Sequence, residues 1–232
     1  MRRRGHAVVE LDILKGEYCN LLNPMIARTV EQWIINGWVS AIFVATPCES
    51  MSRARRAPLW SRMPHQLRSA AHPSGIPQLE GRDLETLQRG NRLSRIASKF
   101  IKLAEENNVM GFEENPASSY LWDLHDRPRR AKHPSFHTHA FEQCAFGTPY
   151  RKRTRIDSWH VSLPLAPSCS SKLCKYTGQR HQVLSGIHNK GGEFCTKGAA
   201  AYPSKMCNRL AATIHAALAN QVASRIWKVF QC

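Results

Sequence analysis

The chain has no long hydrophobic run, and its N-terminus has no secretory signal. No stretch of its 232 residues reaches the roughly 18 consecutive apolar residues of a membrane span. Arginines near the N-terminus are not followed by the apolar segment of a signal peptide. There is no internal repeat. We therefore expect an intracellular protein, nuclear or cytoplasmic, that is neither secreted nor bound to a membrane.

Acidic residues are scarce. The chain has 17 Asp and Glu against 33 Lys and Arg, which gives a net charge of +16 and a pI near 10. An excess of this size favours a polyanionic partner, most often nucleic acid. The alternative is a solvated basic surface or an unstructured tail. Because the basic residues recur in short clusters, we favour a basic face that binds DNA; the clusters are Arg2–Arg4, Arg53–Arg56, Arg127–Lys132 and Arg151–Arg155.

Eight cysteines without a secretory signal indicate a reducing compartment, where thiols stay reduced. Cys169, Cys174, His181 and His188 have the side chains of a zinc site, and Cys195 and Cys207 could join them. Their spacings match no compact zinc finger. We therefore predict scattered thiols and no metal, with a structural zinc as the alternative.

Strand-like and helix-like segments alternate in the first half of the chain, which favours an α/β fold with a parallel sheet. Asn23 is a candidate N-cap and Gly37 a candidate stop for the first helix. An apolar run before Thr46 is typical of a strand buried on both faces. We predict strands over Ala7–Ile13, Val39–Ala45 and Val109–Glu113, helices over Pro24–Asn36 and Leu84–Asn107, and a long loop over Pro58–Gly81.

The second half is less regular. Asp123–His139 has four histidines and two prolines and is interpreted as a loop. Strands are predicted over Phe141–Gly147 and Ile156–Leu163, and a last helix over Ser204–Val229. These patterns predict an α/β core over residues 1–160, followed by a smaller basic region with cysteines and histidines and a C-terminal helix over residues 161–232.

Two reactive side chains follow neighbouring predicted strands. Cys48 and Glu114 lie at the carboxyl ends of these strands, where sites gather in parallel sheets. A thiolate is a strong nucleophile, and the arginines at 53, 55 and 56 would lower the thiol pKa. A carboxyl group in a pocket can share a proton with a ring nitrogen. The pair could therefore attack a pyrimidine at C6 and make C5 nucleophilic.

Simpler interpretations remain for each of these features. A lone cysteine after a strand is usually a small core side chain. Glu113 and Glu114 could cap a strand on a solvated loop, and Arg151–Arg155 could be a solvated charged run.

Three motifs in order resemble the cytosine-C5 DNA methyltransferase family. They are Thr46-Pro47-Cys48, Glu114-Asn115-Pro116 and Arg151-Lys152-Arg153-Thr154-Arg155. The chain is more closely similar to divergent methyltransferase-like proteins of protists and transposable elements. That resemblance runs, with gaps, over most of residues 7–215, and its segments are Pro47 to Arg55, Glu114 to Trp122 and Gly147 to Arg155.

The resemblance implies a Rossmann-like methyltransferase fold and a role for each matching residue. Cys48 would be the nucleophile, Glu114 would contact cytosine N3, and Asn115 would brace the loop. Arg153 and Arg155 would hold the flipped base or its phosphate, because the base must leave the helix to reach the cysteine. S-adenosylmethionine would be the methyl donor; its site would include Pro47 and, for the ribose hydroxyls, Glu10 or Asp12.

The chain also departs from the family. Glu49 and Arg151 stand where better-known members have glutamine. The family opens with a strand and a glycine-rich loop for the cofactor, which the residues before Arg4 do not supply. We therefore expect a fragment, a decayed copy, or a domain completed by an upstream segment or a second polypeptide. Two rival functions stay open, a non-catalytic nucleic-acid-binding protein and a decayed transposon product.

Overall fold

The computed structural model describes residues 1–53, 55, 65–125, 127–165, 167–184 and 196–230, with side chains of the last helix described to residue 220. The chain divides into two compact units. One comprises Leu11–Ala140 and Arg153–Ser162, and the other comprises Met1–Glu10, Phe141–Lys152 and Leu163–Cys232. The first contains the sheet and its helices, and the second contains most of the cysteines and the last helix.

The described residues form a four-stranded mixed sheet in the order β1-β2-β4-β3. The strands are β1 (Ala41–Ala45), β2 (Met110–Pro116), β3 (Phe136–Glu142) and β4 (Arg153–Trp159). β1 and β2 are parallel, whereas β2 and β4 are antiparallel. The α/β prediction is confirmed, but the prediction of a wholly parallel sheet is wrong.

The connections explain this mixture. Parallel neighbours need a long crossover, usually a helix. The 26-residue helix α2 (Gly81–Glu106) supplies that crossover between β1 and β2. Between β2 and β4, the only α-helix among the described residues is the four-residue α3 (Arg127–Arg130).

The first helix agrees closely with its prediction. α1 spans Pro24–Ile35, and the Asn23 side chain accepts a hydrogen bond from the backbone N–H of Met25. Gly37 follows with a left-handed φ of +68°, which favours glycine and ends the helix. Buried side chains of α1, α2 and the segment before β2 form one hydrophobic cluster, consisting of Ala27, Ile34, Phe100, Ala104 and Val109.

Two strand predictions in the first half need correction. Ala7–Ile13 is not a strand, because Asp12 instead caps a short 3-10 helix over Ile13–Lys15. The apolar run before Thr46 is a strand, but it is not buried on both faces. β1 lies at the sheet edge, and Phe43 keeps 40% of its surface exposed.

The second half corrects further boundaries. His137 and His139 lie on β3 rather than in a loop, and β3 ends at Glu142. A 3-10 helix over Gln143–Phe146 replaces most of the predicted strand there. The last helix, α4 (Ser204–Phe230), agrees with its prediction. Among the described helices, none combines the length and apolar character needed to cross a membrane.

Candidate functional site

The ends of β1 and β2 bring two of the sequence motifs together. Ala45, the last residue of β1, pairs with Glu114 in the parallel register. Pro47-Cys48, which follow β1, therefore lie near Glu114-Asn115, which belong to the last part of β2 and extend that strand beyond its predicted end at Glu113. The side-chain amide of Asn115 donates a 2.6 Å hydrogen bond to the backbone carbonyl of Thr46. Because Asn115 is buried, this bond ties the two segments in a place that water does not reach.

Cys48 lies on a tight turn that leaves it exposed. The backbone N–H groups of Met51 and Ser52 both donate 3.0 Å hydrogen bonds to the carbonyl of Cys48. Ser50 and Met51 are buried beneath the turn, whereas Pro47 and Cys48 are exposed. The alternative of Cys48 as a core side chain is therefore wrong.

A buried arginine fixes the underside of this turn. Arg68 donates to the carbonyl of Ser50 at 2.9 Å and to its hydroxyl at 3.1 Å. Burial lowers the pKa of Arg68 to about 10. Gly90 of α2 faces the same point, and a Cβ there would overlap the Ser50 hydroxyl. The turn and α2 therefore approach at a distance that only glycine allows. The sequence prediction missed Arg68 and Gly90, because neither belongs to a motif.

The arginines that follow Cys48 already have anionic partners. Arg53 forms a 2.8 Å ion pair with Asp123, and Arg55 forms a 3.2 Å ion pair with Asp83. Arg56 lies outside the described residues. Much of the positive charge predicted to act on Cys48 is thus compensated by carboxylates.

Glu113 and Asp157 are buried and pair with each other across β2 and β4, and each is held by its own arginine. Arg127 holds Glu113 through two bonds of 2.9 and 2.5 Å. Arg155 holds Asp157 through two bonds of 2.6 and 2.7 Å. Burial raises the pKa of Asp157, the hydrogen bonds and charge of Arg155 oppose that rise, and Glu113 adds to it.

The two predicted base-holding arginines have different surroundings. Arg155 pairs with Asn115 in the register, and its guanidinium lies 4.2 Å from the centre of the Trp122 ring. Because it also binds Asp157, Arg155 serves as a brace within the sheet. Arg153, at the start of β4, is exposed. Arg155, by contrast, keeps only 21% of its side chain exposed.

Two buried polar atoms at this edge have no hydrogen-bond partner within the described part of the chain. They are the hydroxyl oxygen of Thr46 and the amide oxygen of Asn115. Buried polar atoms are normally satisfied, so exceptions point to an unseen partner such as a water or a ligand. Both atoms belong to the paired segments that carry Cys48 and Glu114.

Glu10 and Asp12, the alternative ribose-binding carboxylates of the resemblance, do not follow a strand among the described residues. Glu10 is exposed and pairs with Arg2 at 3.5 Å, and Asp12 is exposed at the cap of its 3-10 helix. Neither lies at a strand end, where a ribose-binding carboxylate is expected. The described residues therefore do not fit a nucleotide cofactor through Glu10 or Asp12.

The second unit contains a cluster that the sequence did not predict in this form. Ligand atoms of Cys144, Cys169, Cys174 and His181 all lie within 4.8 Å of one another. His188 and Cys195 lie outside the described residues, and Cys207 is exposed on α4. Cys144 takes the place that the spacing gave to His188. It lies on a separate segment, so no local spacing could have identified it.

The thiols of this cluster differ in their surroundings. Burial, with the neighbouring sulfurs of Cys174 and Cys169, raises the pKa of Cys144. At Cys174 burial acts in the same direction, but hydrogen bonds from Thr177 and Tyr176 outweigh it and lower the pKa.

A basic cleft of about 670 Å³ lies in the same unit. Three cations line it together with hydroxyl groups; the lining includes Arg151, Lys172, Arg180, Ser170 and Ser171. Side chains of this kind bind phosphate oxygens.

No protein-family model, curated protein or solved structure matches the chain.

Proposed function

We propose that the chain is a cytosine-C5 DNA methyltransferase-like protein in which Cys48 is the nucleophile and Glu114 the acid that contacts cytosine N3. One observation carries the proposal, the parallel pairing of β1 and β2 with the Asn115–Thr46 hydrogen bond. It brings together the exposed cysteine that follows β1 and the buried glutamate in the last part of the adjacent strand β2. A Rossmann-like methyltransferase fold, of which this sheet would be a part, belongs to the same proposal.

The chemistry follows from the two side chains. The Cys48 thiolate forms a bond to C6 of a flipped cytosine, and the C5=C6 double bond breaks. Its electron pair moves through C5 and C4 towards N3, where a proton from Glu114 neutralises it. C5 is then nucleophilic. In the absence of a methyl donor it takes a proton from water, and loss of the original C5 proton with expulsion of the thiolate restores the base.

S-adenosylmethionine would supply the methyl group in the complete reaction. Because Glu10 and Asp12 do not fit it, its site would need residues other than these. The proposal for the described residues therefore concerns base binding and nucleophilic addition.

The charge distribution supports DNA as the partner. The net charge is +16, Arg153 is exposed at the start of β4, and the cleft lined by Arg151, Lys172 and Arg180 is basic. Each phosphate that such side chains neutralise releases counterions. Binding should therefore weaken steeply as salt increases, with little dependence on sequence.

Exchange of the cytosine C5 hydrogen tests the proposal without a methyl donor. The chain is incubated in D₂O with a mixed-sequence DNA duplex, and deuterium at C5 is measured by nucleoside mass spectrometry. We expect exchange above the protein-free background, loss of exchange in Cys48→Ser, and slower exchange in Glu114→Gln. Cys207→Ser, which changes the other exposed cysteine among the described residues, should exchange as the parent does.

The rival function has a distinct outcome. If the parent binds DNA with a steep salt dependence but gives no exchange, the chain is a non-catalytic nucleic-acid-binding protein. Arg153→Ala should reduce binding to all sequences similarly. Absence of both binding and exchange would leave a decayed product.

A further inference from the structure

We infer that Cys144, Cys169, Cys174 and His181 form a structural zinc site. This inference does not depend on the proposed function, since the four residues belong to the unit that lacks Cys48 and Glu114. Three cysteine sulfurs and one imidazole nitrogen are a ligand set that selects zinc in four-coordinate structural sites. Cys169, Cys174 and His181 were candidate ligands in the zinc alternative of the sequence analysis, and Cys144 completes the set.

The distance between the ligand atoms of Cys169 and His181 fits a tetrahedral site. With Zn–S of about 2.3 Å and Zn–N of about 2.0 Å, ligand atoms are separated by about 3.5 to 3.8 Å. Sγ of Cys169 lies 3.6 Å from Nε2 of His181, and all four ligand atoms lie within 4.8 Å of one another. The three cysteines are buried thiols, as expected for a closed site.

Backbone hydrogen bonds hold the ligand segments in place. Cys144 lies on the 3-10 helix Gln143–Phe146, and the N–H of the preceding Glu142 donates to the carbonyl of Pro167, two residues before Cys169. The guanidinium of Arg151 donates to the carbonyl of Cys169 at 3.2 Å. The cluster is therefore built from segments that are already joined by the backbone.

A tight turn presents Cys174. Its N–H donates to the carbonyl of Gln179 at 2.8 Å, and Gly178, with a φ of +71°, donates back to Cys174 at 2.7 Å. These two backbone bonds fix the turn that carries Cys174.

The segment around the site needs an additional source of stability. The described residues between 163 and 184 contain isolated bridges but no helix or strand. Leu163 and Leu165 are buried before Cys169, but Leu173 and Val183, which lie beside Cys174 and His181, are 56% and 73% exposed. A bound zinc ion supplies folding free energy directly to a segment of this kind.

Charge balance favours the same conclusion. Residues 161–184 contain three cations, Lys172, Lys175 and Arg180, and no carboxylate. Zinc with three thiolates and a neutral histidine has a net charge of −1. The loaded site would therefore partly compensate the surrounding positive charge.

Metal analysis of the full chain tests the inference directly. Elemental mass spectrometry of protein purified under reducing conditions should find one zinc ion per chain. Replacement by Co²⁺ should give thiolate-to-cobalt charge transfer and the intense visible bands of a tetrahedral site. Cys169→Ser should lose zinc, whereas Cys207→Ser should keep it. His181→Cys should also keep zinc, with a shifted cobalt spectrum.

Three results would overturn the inference. One is parent protein without zinc that also gives no tetrahedral cobalt spectrum after reconstitution. Another is a disulfide among Cys144, Cys169 and Cys174 in protein kept under reducing conditions. The third is equal loss of metal from Cys207→Ser and Cys169→Ser. Because the first two readouts use the parent protein, misfolding of a variant does not prevent the test.

Discussion

Asn115 donates its side-chain amide to the backbone carbonyl of Thr46 at 2.6 Å. This bond connects the carboxyl ends of the parallel strands β1 and β2 through one buried side chain. Its donor, Asn115, follows Glu114 directly, and its acceptor, Thr46, lies two residues before Cys48. The bond therefore adds a buried side-chain contact to the strand pairing that holds the segments of the candidate acid and nucleophile together.

Asn115→Ala should destabilise the protein by about 1–3 kcal/mol, because it leaves a buried carbonyl without its donor. Urea unfolding measures this change. Asn107→Ala is a matched control, since Asn107 donates to the Leu103 carbonyl at 2.8 Å but is exposed. The control should change stability much less. If the two variants lost equal stability, burial of the Asn115–Thr46 hydrogen bond would not contribute to its effect on stability.

Gly90→Ala should destabilise the protein by about 1–3 kcal/mol, because the added methyl group overlaps the Ser50 hydroxyl and forces the turn away from α2. Gly198→Ala is the control, because no heavy atom lies within 4 Å of the Cβ position there. Thermal unfolding should show a lower melting temperature for Gly90→Ala than for Gly198→Ala. A Gly90→Ala protein as stable as the parent would contradict the close approach.

Removing one partner of the buried Glu113–Arg127 pair should cost about 3–5 kcal/mol, because it leaves a buried charge uncompensated. Arg127→Met therefore should be severely destabilised, and adding Glu113→Gln should recover part of the loss. Denaturant unfolding of the single and double variants gives the interaction free energy between Arg127 and Glu113. Lys102→Met in the exposed Lys102–Glu106 pair should change stability by less than about 1 kcal/mol. If the changes in unfolding free energy of the two single variants added up to that of the double variant, the two buried side chains would not interact.

His139 should make stability depend on pH. Burial, with the neighbouring His137, lowers its pKa below 6.5 in the folded protein. As the pH falls below 6.5, the unfolded chain binds the proton first, so the free energy of unfolding decreases until the folded pKa is passed. His139→Gln should lack this part of the decrease, whereas His72→Gln, at an exposed position, should retain it. Unfolding curves between pH 5 and pH 7.5 provide the comparison.

Alkylation should separate the thiols by exposure. Cys48 and Cys207 are exposed, whereas Cys19 and Cys144 are buried. Iodoacetamide followed by peptide mapping should label the first two before the buried pair. In Asn115→Ala the rate at Cys48 should change while that at Cys207 does not. Labelling of Cys48 as slow as that of Cys144 would contradict the exposed turn.

The sequence was a good guide where structure is determined locally. α1 has its cap at Asn23, its apolar spacing and its stop at Gly37 within a short stretch, so nearly every residue was predicted. The direction of β4 depends on strand pairing across the sheet, which no local pattern contains. The edge position of β1 has the same origin, and it explains why an apolar run was wrongly predicted to be buried.

The same distinction applies to the sites. The strand-end positions of Cys48 and Glu114 were predicted, because the carboxyl ends of parallel strands meet at one edge. Arg68 under the turn and Cys144 in the cysteine cluster were not, because each reaches its site from a distant segment. Only the folded chain brings those segments together.

The buried pairing of Glu113 with Arg127 has a consequence for the order of folding. During synthesis β2, with Glu113, emerges before Arg127, and β4, which pairs with β2, emerges later still. If β2 were buried before Arg127 and β4 were available, the Glu113 carboxylate would be unpaired in the middle of an incomplete sheet, which is strongly unfavourable. The centre of this unit should therefore assemble only after β4, which ends at residue 159, has left the ribosome.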